Sequence, residues 1–389
     1  MFVMDRVYLD YAATTPVDNR VIEVMNLYNN VSFGNPSSLH SFGTDAKDVL
    51  TKSREVIAKY IGARPEEVYF TSGGTESNNF AIKGIAFAKK NQGNNIIVSS
   101  IEHDCILNSC KWLESQGFEI TYLPVDNKGT VEPESLLQAI NPKTILVSVM
   151  SANNEIGTLE PIDAVGKICK EKGILFHCDA CQSFGKLPID VEKSNIDLLT
   201  INSHKIYGPK GVGALYIRKG TTITPLLHGG GQENGLRSTT ENIPGIAGFA
   251  KAAEICYSEI DSEFARLTAL RNKLSDFLIN NYDGAYINGD EVNRLPGHLS
   301  FCLGGLEGET IRFLFLLDEM GFAVSAGSAC SSNQSNGSSH VLKAIGLDQF
   351  QSRGGIRVTF GRFTTEKDLE RFMDSLKIAI KKLNNIFSN

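Results

Sequence analysis

The chain has 389 residues, 42% of them apolar and 21% charged, and a formal net charge of −6. That is the composition of a soluble globular protein, and the length is too great for one ordinary core, so two domains are expected. The acidic balance and the lack of a basic run give no reason to expect direct nucleic-acid binding, and no apolar stretch approaches the ~18 residues that would suggest a membrane span.

Met1-Phe2-Val3-Met4-Asp5-Arg6 has no charged region followed by an apolar one, so a secretory signal is not expected and a cytoplasmic protein is. The eight cysteines are scattered, which suits reduced thiols better than a disulfide framework. Cys178-Asp179-Ala180-Cys181 spells C-x-x-C, but no second pair of ligands answers it. Buried, inert thiols are expected there, and no metal site.

Val68-Tyr69-Phe70 is a short apolar run, and a helical pattern follows near 76–91. Between them, Thr71-Ser72-Gly73-Gly74-Thr75-Glu76 sets glycines ahead of a helix N-terminus. Free N–H groups and the helix dipole favour an anion there. On the residues alone, this turn fits a phosphate cradle and a plain capped turn equally well. Residues 95–99 read as the next strand, and His103 stands between it and a helix near 105–116. Without context such a histidine is a solvent-exposed residue at a helix start.

A helix near 133–140, a strand at 145–149, a helix at 162–172 and a strand at 174–176 follow. The last leads into Phe176-His177-Cys178-Asp179-Ala180-Cys181-Gln182, which puts Asp179 at the end of an apolar strand. Residues 195–201 read as a short buried strand delivering Ser203-His204-Lys205-Ile206-Tyr207-Gly208-Pro209-Lys210-Gly211 to a Gly/Pro turn, with a further strand at 212–217. An amine at such a strand end, beside small residues, sheds solvation, as Schiff-base formation requires. An aspartate for a pyridinium nitrogen and a lysine for an aldehyde together point to pyridoxal phosphate (PLP). Strands alternating with helices predict a mainly parallel sheet covered on both faces. Ligands gather at the carboxyl ends of such strands, where the Asp179 and Lys205 segments fall.

The alternation breaks at Gly229-Gly230-Gly231 and at Asn242-Ile243-Pro244-Gly245. Beyond lie a long helix at about 246–280, a strand at 299–302, a helix near 308–317, a strand pair and a closing helix at 366–386, which read as a smaller α+β domain. Residues 327–339 are small, polar and turn-prone, so a mobile surface loop is expected. A thiol exposed in it, Cys330, suits a nucleophile better than a packing residue.

Tyr8-Leu9-Asp10-Tyr11-Ala12-Ala13-Thr14-Thr15-Pro16, Thr71-Ser72-Gly73-Gly74-Thr75-Glu76-Ser77-Asn78, Glu102-His103, Asn153-Asn154-Glu155-Ile156-Gly157, the Asp179 and Lys205 segments, Ala326-Gly327-Ser328-Ala329-Cys330 and Gly361-Arg362-Phe363-Thr364-Thr365 occur in that order. Together they span nearly the whole chain. The set resembles the cysteine desulfurases of the NifS/IscS type, within the class V aminotransferase fold family. The resemblance implies an α/β PLP-dependent transferase of fold type I, with a mainly parallel seven-stranded sheet flanked by helices and a smaller α+β domain. It places the large domain at 16–256 and the small one at 1–15 and 257–389, with the cysteine loop at about 325–339.

The same resemblance gives roles to residues. Lys205 is the Schiff-base lysine, Asp179 stays ionised and keeps the pyridinium protonated, and Gln182 bonds the ring hydroxyl. His103 stacks on the ring and relays protons. Gly74 and Thr75 form the phosphate cradle, joined by Ser203 and His204. Asn154 assists from the cofactor side, and Arg357 clamps the substrate carboxylate. Thr240 reaches the cofactor phosphate of the other subunit in a homodimer. Cys330 attacks the sulfur of L-cysteine, leaving L-alanine and a Cys330 persulfide for an acceptor protein, an iron–sulfur scaffold or a thiolation factor.

Three departures stand out. Asn202 replaces a small hydroxyl residue two before His204, so the hydroxyl contact is expected to shift to Ser203. Arg237-Ser238-Thr239-Thr240 replaces Arg-Ser-Gly-Thr, and the usual proline before Ser339-His340-Val341-Leu342 is missing. The rival readings are a selenocysteine lyase, an ordinary aminotransferase, which would have no use for Cys330, and a catalytically silent sulfur-relay or assembly subunit.

Overall fold

The computed structural model describes residues 6–327 and 338–387. Cys330 and the segment around it lie outside the described residues. Strand β1 (Val7–Tyr8) precedes helices α1 (Asn19–Asn30) and α2 (Ser41–Ile61). Strands and helices then alternate: β2 (Val68–Thr71), α3 (Gly74–Lys89), β3 (Asn95–Ser99), α4 (Asp104–Glu114), β4 (Glu119–Leu123), α5 (Pro133–Ala139), β5 (Thr144–Ser148), α6 (Ile162–Lys172) and β6 (Leu175–Asp179). β7 (Leu198–Asn202) and β8 (Gly213–Ile217) flank the Lys205 turn, and α7 (Ile243–Asn281) follows. The remainder is β9 (Ala285–Ile287), β10 (His298–Leu303), α8 (Thr310–Glu319), β11 (Phe322–Ala323), β12 (Ser325–Ala326), α9 (His340–Ala344), β13 (Ile356–Thr359) and α10 (Glu366–Phe387).

Seven strands join in the order β2-β8-β7-β6-β5-β3-β4. Five run parallel from β7 to β4, and β8 is antiparallel to both of its neighbours, so the sheet is mainly parallel, as expected. Period-two alternation assigns each apolar residue to one face. Ile97, Val147, Phe176, Leu199 and Ile201 pack under α1, α2, α6 and the first half of α7. Ile96, Val98, Leu146, Leu198 and Leu215 pack on the other face, against α3 and α4. With both faces covered, β3, β7 and β8 are buried along their whole length, which explains their unbroken apolar runs.

A second core gathers around the four-stranded antiparallel sheet β12-β13-β10-β9, covered by α8, α10 and the second half of α7. β1 pairs in parallel with β11, so the start of the chain belongs with its end. α7 enters both cores, with Phe249 and Ala253 in the first and Leu267, Leu270, Leu274 and Leu278 in the second.

Two expected boundaries move for local reasons. The long helix begins at Ile243, because Asn242 caps it by accepting the Gly245 N–H at 3.1 Å and Pro244 occupies the first turn. The tetrapeptide read as a break is therefore a helix start. The strand read at 195–201 begins at Leu198, because Asn195 sits at φ 50° in the turn before it.

His177, in β6, lies fully buried between Ser148 Oγ at 2.8 Å and Thr200 Oγ1 at 3.0 Å on the two adjoining strands. Burial pushes its pKa down to about 4. The fold therefore favours the neutral ring, and this contribution to stability is complete above pH 6.5 and lost as pH falls towards 4. Urea unfolding at pH 6.5 and pH 4.5 should show His177→Gln losing less stability than the native chain over that interval, by about 2–3 kcal/mol. Equal losses would contradict the assignment.

Candidate active site

A cleft opens at the carboxyl ends of the parallel strands, and its far wall comes from the second sheet. β6 ends at Asp179, β7 leads to His204 and Lys205, and β3 leads to His103. The first turn of α3 supplies Gly74 and Thr75, the segment after β5 supplies Asn154, and β13 supplies Arg357. These residues and Gln182 all line the cleft.

Asp179 is 5% exposed, and both its oxygens take neutral donors: Asn78 Nδ2 to Oδ2 at 2.6 Å and the Cys181 N–H to Oδ1 at 2.8 Å. Gln182 donates from Nε2 to the Ala12 carbonyl at 3.1 Å, and its Oε1 accepts from Lys186 Nζ at 3.4 Å. Lys205 is half-buried, and its turn is clasped by the N-terminal segment. The Thr15 hydroxyl donates to the His204 carbonyl at 2.9 Å and accepts the Tyr207 N–H at 2.8 Å. Tyr207 is held at φ 66°, a conformation rare outside glycine. His204 Nδ1 pairs with Thr14 Oγ1 at 3.1 Å, and burial with the nearby Lys205 and Lys210 pushes its pKa down to about 4, so the ring is neutral at pH 7.

His103 caps α4 by accepting the Cys105 N–H on Nδ1 at 3.2 Å. It is half-buried, unlike the exposed helix-start residue that isolated reading suggests, and burial followed by the charge of Lys205 lowers its pKa. Arg357 is 1% exposed and is no surface pair. Nη1 donates to the Asn154 carbonyl and Nη2 to Asp10 Oδ1, both at 2.8 Å, while Nε has no partner.

Two expected residues are not in the cleft. Ser203 is fully buried, with its Oγ packed against Gly208 and away from the lining. Asn202 faces the cleft in its place, its Oδ1 unpartnered and its Nδ2 beside Gly74. Strand alternation could have found this: Asn202 shares a face with Thr200, whose methyl also approaches Gly74, and Ser203 falls on the opposite face. Thr240 is exposed, next to the segment that Arg237 pins to the first turn of α3 through a forked pair with Glu76 at 2.7 and 3.0 Å. Two thiols line the cleft: Cys105, to which the sequence reading gives no role, and Cys181, expected from the sequence to be inert. Burial pushes the first up to about 12 and the second well above its ordinary value, so both stay protonated. On either side of the segment containing Cys330, the described chain meets one carboxyl: Ser339 Oγ donates to Glu155 Oε2 at 2.5 Å, and Gly327 lies beside the same oxygen.

The chain matches the aminotransferase class-V family over residues 7–372, and it belongs to that family. Among curated relatives it is 51% identical to the cysteine desulfurase IscS of Dictyoglomus turgidum over 380 residues, covering 98% of this chain and 96% of that one. It is 48% identical to the cysteine desulfurase IscS of Methanosarcina thermophila, covering 98% and 93%. Among solved structures, a NifS-like protein aligns with a TM-score of 0.90 at 39% identity, covering 97% of this chain and 99% of that one. SspA in complex with cysteine aligns with a TM-score of 0.82 at 41% identity, covering 92% and 99%.

Family members work with PLP, and the cleft fits it. Asp179 offers a buried carboxylate to a ring nitrogen, and the first turn of α3 offers free N–H groups to a phosphate. At Gly74 a Cβ would come 2.6 Å from Cys181 Sγ, so only glycine leaves that turn its close approach. Gly74→Ala should weaken PLP binding by about tenfold or more, read by absorbance titration of the cofactor-free protein. Unchanged affinity would remove this turn from the phosphate site.

Proposed function

We propose that the chain is a PLP-dependent cysteine desulfurase that takes sulfur from L-cysteine, releases L-alanine and passes the sulfur through Cys330 to an acceptor protein. The observation that carries this reading is the meeting of Lys205, Asp179, His103 and Arg357 in one cleft, within a chain about half identical to enzymes of that name over nearly its full length. When bound, PLP supplies an electron sink at the substrate carbon.

The side chains divide the remaining work. Lys205 presents the amine that holds the cofactor and exchanges protons at the substrate Cα. Asp179 keeps a fixed negative charge against the ring nitrogen. Gly74, Thr75, Asn202 and the neutral His204 surround the phosphate position. The free Nε of Arg357 offers its N–H to the substrate carboxylate, with Asn154 beside it. His103 moves protons together with Lys205. The Cys330 thiolate forms an S–S bond to the substrate sulfur as the C–S bond breaks, and the bonding pair of that C–S bond moves onto the substrate carbon.

Surface features support a homodimer. Val31, Phe33 and Leu39 are 64%, 65% and 101% exposed on the stretch between α1 and α2, a run of apolar surface that a second copy would cover. Thr240, exposed beside the Arg237–Glu76 pair, is available to a neighbouring subunit's cofactor phosphate. The β1–β11 pairing and the passage of α7 between cores support a large domain at 16–256 with a small one at 1–15 and 257–389. No helix among the described residues is long and apolar enough to cross a membrane, and the seven cysteines described are unpaired, which fits a reducing cytoplasm.

Brief exposure of the purified protein to L-cysteine without reductant should add one sulfur atom to the Cys330 peptide and release alanine, both read by mass spectrometry. Cys330→Ser should lower sulfur release by at least about 10³-fold while the bound-cofactor absorbance stays. Sulfide release by that variant at the native rate would sink the assignment, and alanine from selenocysteine but not from cysteine would replace the substrate.

A further inference from the structure

Four side chains in the cleft form a hydrogen-bond relay in which each direction is dictated by the one before. Asp179 accepts at Oδ2, so the amide of Asn78 must turn its nitrogen that way, at 2.6 Å. The same nitrogen has a second hydrogen, and it meets Cys105 Sγ at 3.2 Å. A thiol whose sulfur is accepting keeps its own hydrogen free to donate, and 3.1 Å away lies Nδ1 of His103. The backbone N–H of Cys105 reaches that same nitrogen at 3.2 Å. Two donors from one residue thus converge on a single ring lone pair.

The geometry points to Cys105 as a positioning residue that holds His103 in the tautomer protonated on Nε2, and so links Asp179 to His103. This rests on the reading of the cleft as a PLP site. The thiol suits the task because burial keeps it protonated, with its pKa pushed up to about 12. Protonating Nδ1 would set it against the Cys105 backbone N–H and force the thiol hydrogen to turn away, which adds to the other influences on this ring. Burial, Lys205 and His340 disfavour its charged form, while Asp179 and Asp104 favour it. Cys105 was not among the sequence motifs that suggested catalysis, and it takes no part as a nucleophile.

The test uses the cofactor-bound protein labelled with ¹⁵N at its histidines, with His103→Gln to assign the signal. Native His103 should show the Nε2–H tautomer. In Cys105→Ala, which keeps the backbone donor and loses the thiol, the excess of the Nε2–H tautomer should fall and the ring pKa should rise by about half to one unit. Cys105→Ser, whose hydroxyl can both accept and donate, should restore the native tautomer and pKa. The acid limb of the kcat profile should move with the alanine variant and not with the serine variant. An Nδ1–H tautomer in the native protein overturns the proposal, and so does an alanine variant with native tautomer and pKa. If the alanine variant fails to fold, the native tautomer alone decides. Failure of the native enzyme to make alanine from L-cysteine would reject the desulfurase reading and leave the tautomer result standing.

Discussion

The Arg357 guanidinium joins three separate parts of the chain, and the cleft exists only where they meet. It projects from β13 in the second sheet, bonds the Asn154 carbonyl beyond β5 of the first, and pairs with Asp10 in the N-terminal segment. A cation at 1% exposure is tolerable only when its donors are used, because desolvation otherwise costs several kcal/mol. Two of its nitrogens are satisfied by the protein, which fixes the fork in place. The third, Nε, has no partner. One buried guanidinium therefore ties together the two sheets and the N-terminal segment.

The N-terminal segment makes a second use of its position. Having met Arg357 through Asp10, it crosses to the Lys205 turn, where one hydroxyl, that of Thr15, bonds the turn in two places. That clasp offsets the unfavourable backbone angle of Tyr207 and sets the direction in which Lys205 enters the cleft. The turn that carries Lys205 is thus positioned by residues nearly two hundred places earlier, a dependence that the local spacing of the lysine motif does not express.

Much of the architecture was legible in the sequence, because it rests on patterns a few residues long. Apolar runs such as 95–99 and 145–149 announce doubly covered strands, and Asp179 and Lys205 stand at strand ends where parallel sheets bind ligands. The half-exposed strand β4, at the sheet edge, lacks an unbroken apolar run, and it and the helices α1 and α2 lie outside the sequence reading. Ser203 was preferred over Asn202 by chemical analogy, a hydroxyl for a hydroxyl, whereas the facing of a strand decides which side chain reaches the cleft. Cys105 carries no local signal, because its partners, Asn78 and His103, come together only through the packing of α3 against α4.

The pairing of β1 with β11 has a consequence for synthesis. A ribosome makes the chain from its first residue, and the sheet that carries Asp179 and Lys205 can assemble as soon as α7 has emerged. Residues 7 and 8 must wait until positions 322 and 323 have left the exit tunnel. Until then the Asp10–Thr15 clasp has no anchored end, so the nascent molecule is a folded sheet without a finished cleft. At that stage the first turn of α3 is in place before Arg357 has arrived. Assembly of the active site is thereby ordered in time by the topology of a two-residue strand.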